Sequence, residues 1–154
     1  MNRRDFLKAG LALTPIAAGL AACGGGVAWP EGMTPIVWDR ETCVRCNMVI
    51  SDRRFAAEMR GGPKQVTFKF DDIGCAIFWL RDKAKDYPWI TEAATRLWVA
   101  DAAGKGEHWL DARTAHYVGG RTSPMGYNFA AVAHPEPGSL DFATAREHVL
   151  ARGK

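Results

Sequence analysis

The order of apolar and polar residues after position 35 predicts short strands interleaved with two helices. Residues 65–70 alternate polar and apolar side chains, which is typical of a half-buried strand. Ile73, Ile77 and Leu80 then recur at i, i+4 and i+7, the spacing that places side chains on one helix face. This segment therefore predicts a strand that leads directly into an amphipathic helix.

The rest of the first half predicts extended segments separated by turns. They are rich in β-branched and aromatic residues, and Gly61-Gly62-Pro63 marks a turn after the last of them. Asp71 and Asp72 precede the helix and are expected to cap its N terminus. The extended segments are residues 35–38, 48–50 and 55–59.

The second half predicts a hairpin, two further strands and a C-terminal helix. Residues 97–100 and 107–110 flank a turn at 101–106, which is the pattern of a hairpin. The remaining elements are strands over 116–118 and 127–133 and a helix over 140–150 with Ser139 as its N-cap. Each half runs from a Met through Phe-Ala-Ala and a Pro/Gly turn to a helix, which predicts a loose internal repeat. The fold class that follows is α+β with mixed small sheets.

Residues 1–22 predict a lipoprotein signal peptide. Arg3 and Arg4 resemble a twin-arginine export signal. The apolar run that follows would rise only ~21 Å as a helix, too little to span a hydrocarbon core of ~30 Å. It ends in Leu-Ala-Ala-Cys, which resembles the bacterial lipobox, so Cys23 is expected to carry the lipid. An ordinary signal peptide with a chance cysteine is the alternative.

The segment after the lipobox predicts a tether that holds a domain near a membrane. Residues 23–34 contain three consecutive glycines and are expected to form a lipidated flexible tether. Residues 35–154 are the predicted globular domain, which would face the periplasm while Cys23 anchors it to the lipid bilayer. Gly24 stands where some bacteria place an Asp to retain lipoproteins at the inner membrane, which favours the outer membrane.

The composition excludes several classes of protein. Of the 154 residues, 47% are hydrophobic and 24% are charged, which is typical of a globular domain and excludes a disordered tail. The formal net charge is +3, and most of it lies in the basic residues of the signal peptide. The nearly neutral domain lacks the basic field of nucleic-acid-binding proteins, so no nucleic-acid partner is expected.

The chemistry of the predicted domain is concentrated in the segment from Cys43 to Met48. Thiolate and thioether sulfurs are soft donors, and a cluster of them selects Cu(I) over harder ions. A thioether is a poor ligand for Zn²⁺, so Met48 favours copper. One residue separates Cys46 from Met48, which allows both side chains to lie on one side of the backbone. Cys46 and Met48 are the expected ligands, with Cys43 as a further ligand or a resolving thiol.

The C-x-x-C motif also has other interpretations. Asn47 in place of His excludes a c-type haem site. A thioredoxin-like redox pair begins at a helix N terminus, whereas this motif leads into β-branched residues. Structural zinc needs two more Cys or His ligands from elsewhere in the fold. A Cys43–Cys46 disulfide stays open as an alternative because the expected compartment is oxidising.

Residues outside the motif are weaker candidates for the site. Met125 lies in a turn-like Ser-Pro-Met-Gly segment and is expected either to be a ligand from the second half or to fill a core gap. His116 and His134 are candidate ligands or hydrogen-bond donors to a ligand, although histidines in such settings more often have structural roles. Cys75 lies among apolar residues and is expected to be a buried, inert thiol.

Several segments, taken in order, resemble the NosL family of copper-binding lipoproteins, which are accessory to nitrous oxide reductase maturation. The matching segments are Asp39, Cys43-x-x-Cys46-x-Met48, Phe70–Cys75, Trp109–Arg113, Tyr117-Val118 and Pro124–Gly126. The resemblance implies two related ββαβ units and one bound Cu(I). It also implies delivery to a periplasmic apo-enzyme of the nitrous oxide reductase type, with help from a membrane transporter complex. Asn47 departs from the family, which usually carries Gly before the Met.

Together these observations predict a Cu(I) chaperone rather than an enzyme. Copper would be held at low coordination by Cys46 and Met48 with Cys43 or Met125, so that a partner's ligand can take it by exchange. Two other functions fit the same motif. One is a membrane-tethered thiol–disulfide oxidoreductase, and the other is an interaction lipoprotein held together by a Cys43–Cys46 disulfide.

Overall fold

The structure, a computed structural model, describes residues 28–104 and 106–153. These residues form two α-helices and two small antiparallel sheets, which confirms the predicted α+β class. The strands are β1 (Ala57–Gly61), β2 (Val66–Phe70), β3 (Arg96–Ala100), β4 (Trp109–Asp111), β5 (His116–Gly119) and β6 (Phe129–Val132). The helices are α1 (Ile73–Asp82) and α2 (Phe142–Ala151), and a short 3-10 helix (Pro88–Thr91) lies between α1 and β3.

The predicted signal peptide and the lipidation site Cys23 lie outside the described residues. Within the described segments, no helix combines the length and the apolar character needed to cross a bilayer. The packed body begins before position 35, because the Trp29 ring packs at a tilt against the Trp109 ring with 5.4 Å between centroids and Met33 is buried. Residues 29–41 are called the N-terminal strap below.

The first sheet has the strand order β2-β1-β3-β4 and is covered on both faces. On one face, α1 packs against β1 and β2 around the fully buried Met59. On the other face, the backbone N–H of Thr34 in the strap donates to the Glu58 carboxylate at 2.7 Å. Lys69 Nζ donates to the carbonyl of Pro35 at 2.8 Å. The strap is therefore fixed to the sheet by polar side chains of β1 and β2.

The second half of the chain repeats the element order of the first half, hairpin then helix, but lacks the strand that follows the first helix. The β5–β6 hairpin leads into α2 as the β1–β2 hairpin leads into α1, but only α1 is followed by a strand of its own sheet, β3. The Phe-Ala-Ala segments are not equivalent in this arrangement. Ala57 begins β1, the first strand of its hairpin, whereas Phe129–Ala131 lies in β6, the second strand. The repeat is thus one of element order and not of the sequence motif.

Two segments predicted as strands have other structures. Residues 35–38 form no strand, since the backbone N–H of Val37 donates to the side chain of Glu41 at 2.7 Å instead of to a neighbouring strand. Residues 48–50 contribute only an isolated bridge between Val49 and Thr42. Local hydrogen bonding thus replaces sheet pairing in both segments.

Each helix begins directly after an Asp N-cap. The N-cap of α1 was predicted correctly, and that of α2 was not. The Asp72 side chain caps α1 by accepting from the N–H of Gly74 at 2.9 Å, as expected. α2 begins two residues later than predicted, because Asp141 and not Ser139 accepts from the first turn, at 2.8 Å from the N–H of Thr144. The predicted hairpin of the second half is confirmed as β3 and β4.

Candidate metal centre

The C-x-x-C motif lies in a tight loop that a bridge closes. Thr42 and Val49 form the bridge, and the N–H of Cys43 donates to the Met48 carbonyl at 2.8 Å. The backbone N–H of Asn47 donates to the Cys43 carbonyl at 2.9 Å, and Asn47 has a φ of 62°. Asn tolerates this left-handed conformation better than most residues, so the turn forms although no Gly precedes the Met.

Two further polar side chains reach this loop from the junction of β2 and α1. Asp71 directly follows β2, and Cys75 is the third residue of α1. The N–H of Val44 donates to the Lys69 carbonyl at 3.0 Å, which ties the loop to the end of β2. The cap at Asp72 fixes where α1 begins and therefore where Cys75 lies.

Four side chains with metal-binding atoms meet at this junction, and we call them the sulfur cluster: Cys43, Cys46, Cys75 and Asp71. The three Sγ atoms and a carboxylate oxygen of Asp71 all lie within 4.8 Å of one another, close enough to share a single ion. Cys43 and Cys75 are fully buried, whereas Cys46 is only partly buried. All three thiols are free, and Cys46 is the one that solvent reaches.

The Asp71 carboxylate is buried with only one oxygen engaged. The Cys46 thiol donates to Oδ1 at 3.4 Å, whereas Oδ2 has no hydrogen-bond partner. Asp71 is 1% exposed, and a buried carboxylate oxygen without a partner destabilises the fold. A cation held by the cluster would remove this cost, so the residues themselves favour metal binding.

The three thiols differ in how readily they ionise. A hydrogen bond with the Cys75 thiol lowers the pKa of Cys43 to about 7. Burial raises the pKa of Cys46 to about 12. The hydrogen bond with Cys43 and burial raise the pKa of Cys75. Because Asp71 adds a negative charge beside them, a second and a third thiolate need the positive charge of a bound ion.

The donor set fits a soft or borderline cation. Three thiolate sulfurs are the ligands that Cu(I) prefers in proteins. Zn²⁺ also accepts three cysteines together with a carboxylate, in a tetrahedral arrangement. The sulfur cluster is therefore a candidate metal centre whose donor chemistry includes copper.

The structure brings some of the predicted site residues together and not others. Cys43 and Cys46 belong to the sulfur cluster, and Met48 follows on the same loop with a side chain that is 47% exposed. Met125 is partly buried, and its N–H lies 3.3 Å from Asp72 Oδ2, next to the cluster along the chain. His116 in β5 and His134 in the loop after β6 are outside the cluster.

Sequence reasoning missed two members of the cluster. Cys75 is buried as expected, but its sulfur lies among the other thiols, which is not the setting of an inert core cysteine. Asp71 was expected to cap α1, and Asp72 alone does so. The available signal was the spacing in Asp71-Asp72-Ile73-Gly74-Cys75, which places a carboxylate and a thiol at the start of one helix.

The fold is similar to that of a solved copper chaperone. The crystal structure of the copper chaperone NosL from Shewanella denitrificans matches with a TM-score of 0.50 and 17% sequence identity, over 79% of this chain and 89% of that chain. No family model and no curated protein matches the sequence. At this identity the likeness concerns the fold, and the arrangement of the sulfur cluster rests on the geometry described above.

Proposed function

We propose that this chain binds Cu(I) at the sulfur cluster and passes it to another protein. The observation that carries the proposal is the convergence of three cysteine sulfurs and the Asp71 carboxylate within 4.8 Å. A soft donor set of this kind favours Cu(I). The likeness in fold supports the same function, since one solved structure with a similar fold is that of a copper chaperone.

The exposure of the ligands suits a cargo that must leave again. Cys43 and Cys75 supply buried thiolates, whereas Cys46 is partly open to solvent. Met48 is half-exposed on the same loop, so a donor atom of the acceptor can approach the bound copper next to its thioether. Copper would move by ligand exchange, with the acceptor's donor atom entering on the side of Cys46 and Met48.

We further propose the setting in which the transfer takes place. The lipobox-like segment and the paired arginines support a lipid anchor at Cys23 and a periplasm-facing domain, with the outer membrane favoured. The family resemblance of the sequence motifs supports an apo-enzyme of the nitrous oxide reductase type as acceptor and a membrane transporter complex as assistant. Transfer is tested by mixing the copper-loaded protein with such an apo-enzyme and measuring the copper content of each after separation.

Copper binding is tested by titrating fully reduced protein with Cu(I) against a chromophoric chelator under anaerobic conditions. We expect one tightly held Cu(I) per chain, resistant to excess Zn²⁺. Cys43→Ser and Cys46→Ser should each weaken binding by more than the roughly 10- to 100-fold loss that is typical of residues that only support a ligand. Met48→Leu should weaken it less, and the buried Met33→Leu in the strap is the matched control with unchanged affinity. If the reduced wild-type protein leaves Cu(I) with a weak chelator, the proposed function is wrong.

One observation favours a thiol–disulfide oxidoreductase as the second candidate. The pKa of Cys43, lowered to about 7 by the hydrogen bond with Cys75, is in the range of redox-active C-x-x-C motifs. Cys43 is fully buried, however, and an attacking thiol needs access to its substrate. A disulfide-reduction assay separates the candidates. Activity that survives Met48→Leu and disappears in Cys46→Ser would favour the oxidoreductase.

A further inference from the structure

The loop of residues 123–128 packs against both elements that carry the sulfur cluster. Its Tyr127 ring lies on Gly74 in the first turn of α1, where a Cβ atom would be only 2.0 Å from Tyr127 Cδ2. The Tyr127 hydroxyl accepts a hydrogen bond from Arg45 Nη1 at 3.0 Å, and Arg45 lies between the two cysteines of the C-x-x-C motif. This loop of the second half is therefore fixed to both segments that carry the cysteines of the cluster.

A single carboxylate joins that loop to α1. Asp72 Oδ1 accepts from the N–H of Gly74 at 2.9 Å and so caps the helix. Asp72 Oδ2 accepts from the Ser123 hydroxyl at 2.6 Å and from the N–H of Met125 at 3.3 Å. Asp72 is fully buried, and three donors from two segments compensate the loss of water around it.

The loop itself is held in one conformation around Ser123. The Ser123 hydroxyl accepts from the N–H of Asn128 at 2.9 Å, and the Asn128 side chain accepts from the N–H of Ser123 at 3.2 Å. Gly126 closes the turn by donating to the Ser123 carbonyl at 3.0 Å. The link between Ser123 and Asp72 therefore fixes the loop and the backbone of Met125 together.

We propose that Asp72 is a positioning residue for copper binding, which holds the loop that carries the predicted ligand Met125 against the helix that carries Cys75. The inference rests on the proposed Cu(I) binding. It assigns one buried carboxylate two tasks: it sets the start of the helix that carries Cys75 and it orients the loop that carries Met125. Copper would then draw sulfur donors from both halves of the domain.

A double-mutant cycle tests whether Asp72 acts through Met125. The Cu(I) affinities of the wild-type protein, Asp72→Asn, Met125→Leu and the double variant are measured by anaerobic competition with a chelator. The Asn side chain keeps one acceptor for Gly74 but presents an amide nitrogen where Oδ2 accepted two hydrogen bonds. We expect each single variant to weaken binding roughly tenfold and the double variant to be no weaker than either, because both remove the same contribution.

Two further variants separate positioning from stability. Asp141→Ala removes the N-cap of α2, so it should lower stability while leaving Cu(I) affinity unchanged. Ser123→Ala removes one donor to Asp72 without touching the helix cap, and it should weaken Cu(I) binding in the same direction as Asp72→Asn. Ser123→Ala also serves as the test if Asp72→Asn does not fold.

X-ray absorption of the Cu(I)-loaded proteins measures the number of sulfur atoms bound to copper. This number would not change if Asp72 only stabilised the fold. The wild-type protein should have one more sulfur neighbour at copper than Met125→Leu, and Ser123→Ala should lose the same scattering contribution. Additive effects in the cycle, or an unchanged affinity in Met125→Leu, would overturn the inference while leaving Cu(I) binding intact. A wild-type protein that does not bind Cu(I) would instead overturn the proposed function.

Discussion

The two helices of this protein begin in the same way and do different things. Each follows a two-stranded hairpin, spans ten residues and starts at an Asp N-cap, Asp72 for α1 and Asp141 for α2. Asp141 is exposed, and its side chain accepts a hydrogen bond from the N–H of Thr144. Asp72 is fully buried and accepts from three donors, two of which belong to a distant loop.

The difference lies in how deeply the helix start is buried. In α1 every residue from Ile73 to Trp79 is buried, whereas α2 buries only Ala145 and Val149. A buried helix start must take polar partners from other segments, because water cannot satisfy its free groups. In α1 those partners are Ser123 and the N–H of Met125, both in the 123–128 loop. The N-cap of α1 therefore also joins the helix that carries Cys75 to a distant loop, which the N-cap of α2 does not do.

The largest difference in stability between the two helix starts is expected when the residues two positions after each N-cap are exchanged. Gly74 in α1 corresponds to the exposed Ala143 in α2. Gly74→Ala should destabilise the protein by about 3 kcal/mol, because the new Cβ would lie 2.0 Å from the Tyr127 ring. This loss exceeds the gain of about 1 kcal/mol that Ala brings to a helix. Urea unfolding of both proteins measures the difference.

The reverse exchange in α2 is the matched control. Ala143→Gly should cost about 1 kcal/mol or less, since it removes helix propensity at an exposed position and no packing. If Gly74→Ala were as stable as the wild-type protein, the close contact between α1 and the 123–128 loop would be wrong.

The two sheets also differ in whether they bury a carboxyl group, and the stability of the protein should therefore depend on pH. β6 is apolar and buried throughout, whereas β1 carries the fully buried Glu58. Burial raises the pKa of Glu58 to about 7, although the N–H of Thr34 and the charges of Lys69 and Arg60 oppose this. The contribution of protonated Glu58 to stability is therefore fully present below about pH 4.5 and is lost as the pH rises through 7.

Glu58→Gln should remove this loss, because the amide resembles the protonated acid in shape and carries no charge. Relative to the wild-type protein, the variant should gain about 2–3 kcal/mol of unfolding free energy between about pH 5 and pH 8. Urea unfolding of both proteins at the two pH values measures this gain and cancels the titration of all other groups. An equal difference at both pH values would show that Glu58 is not the titrating group.

Much of the fold follows from local patterns along the chain. The alternation over residues 65–70 corresponds to β2, and the spacing of apolar residues from Ile73 onward corresponds to α1. Residues 35–38 are equally apolar but form no strand, because the Glu41 side chain satisfies the backbone of Val37. Whether an apolar segment pairs in a sheet depends on such partners, which the pattern of the segment itself does not contain.

The candidate site was predictable only as far as it is local in sequence. Cys43 and Cys46 form a motif within four residues, so their proximity follows from the chain itself. Cys75 lies on an apolar helix and has the sequence environment of a core residue. It joins the cluster through a tertiary contact, in which the loop is tied to β2 by the hydrogen bond from Val44 to Lys69. The spacing of Asp71 and Cys75 places both at the start of one helix, but it does not specify their contact with the C-x-x-C loop.

The last prediction compares the two N-caps directly, starting with the exposed cap of α2. Asp141→Ala removes the hydrogen bond that the side chain accepts from Thr144 at 2.8 Å. Exposed caps of this type contribute about 1 kcal/mol, because water partly replaces the lost acceptor. Asp72→Ala should cost more, since it leaves the buried donors of Gly74, Ser123 and Met125 without an acceptor. Urea unfolding of both variants gives the two costs. If they were equal, burial of the α1 cap would have no energetic consequence, and the distinction between the two helix starts would fail.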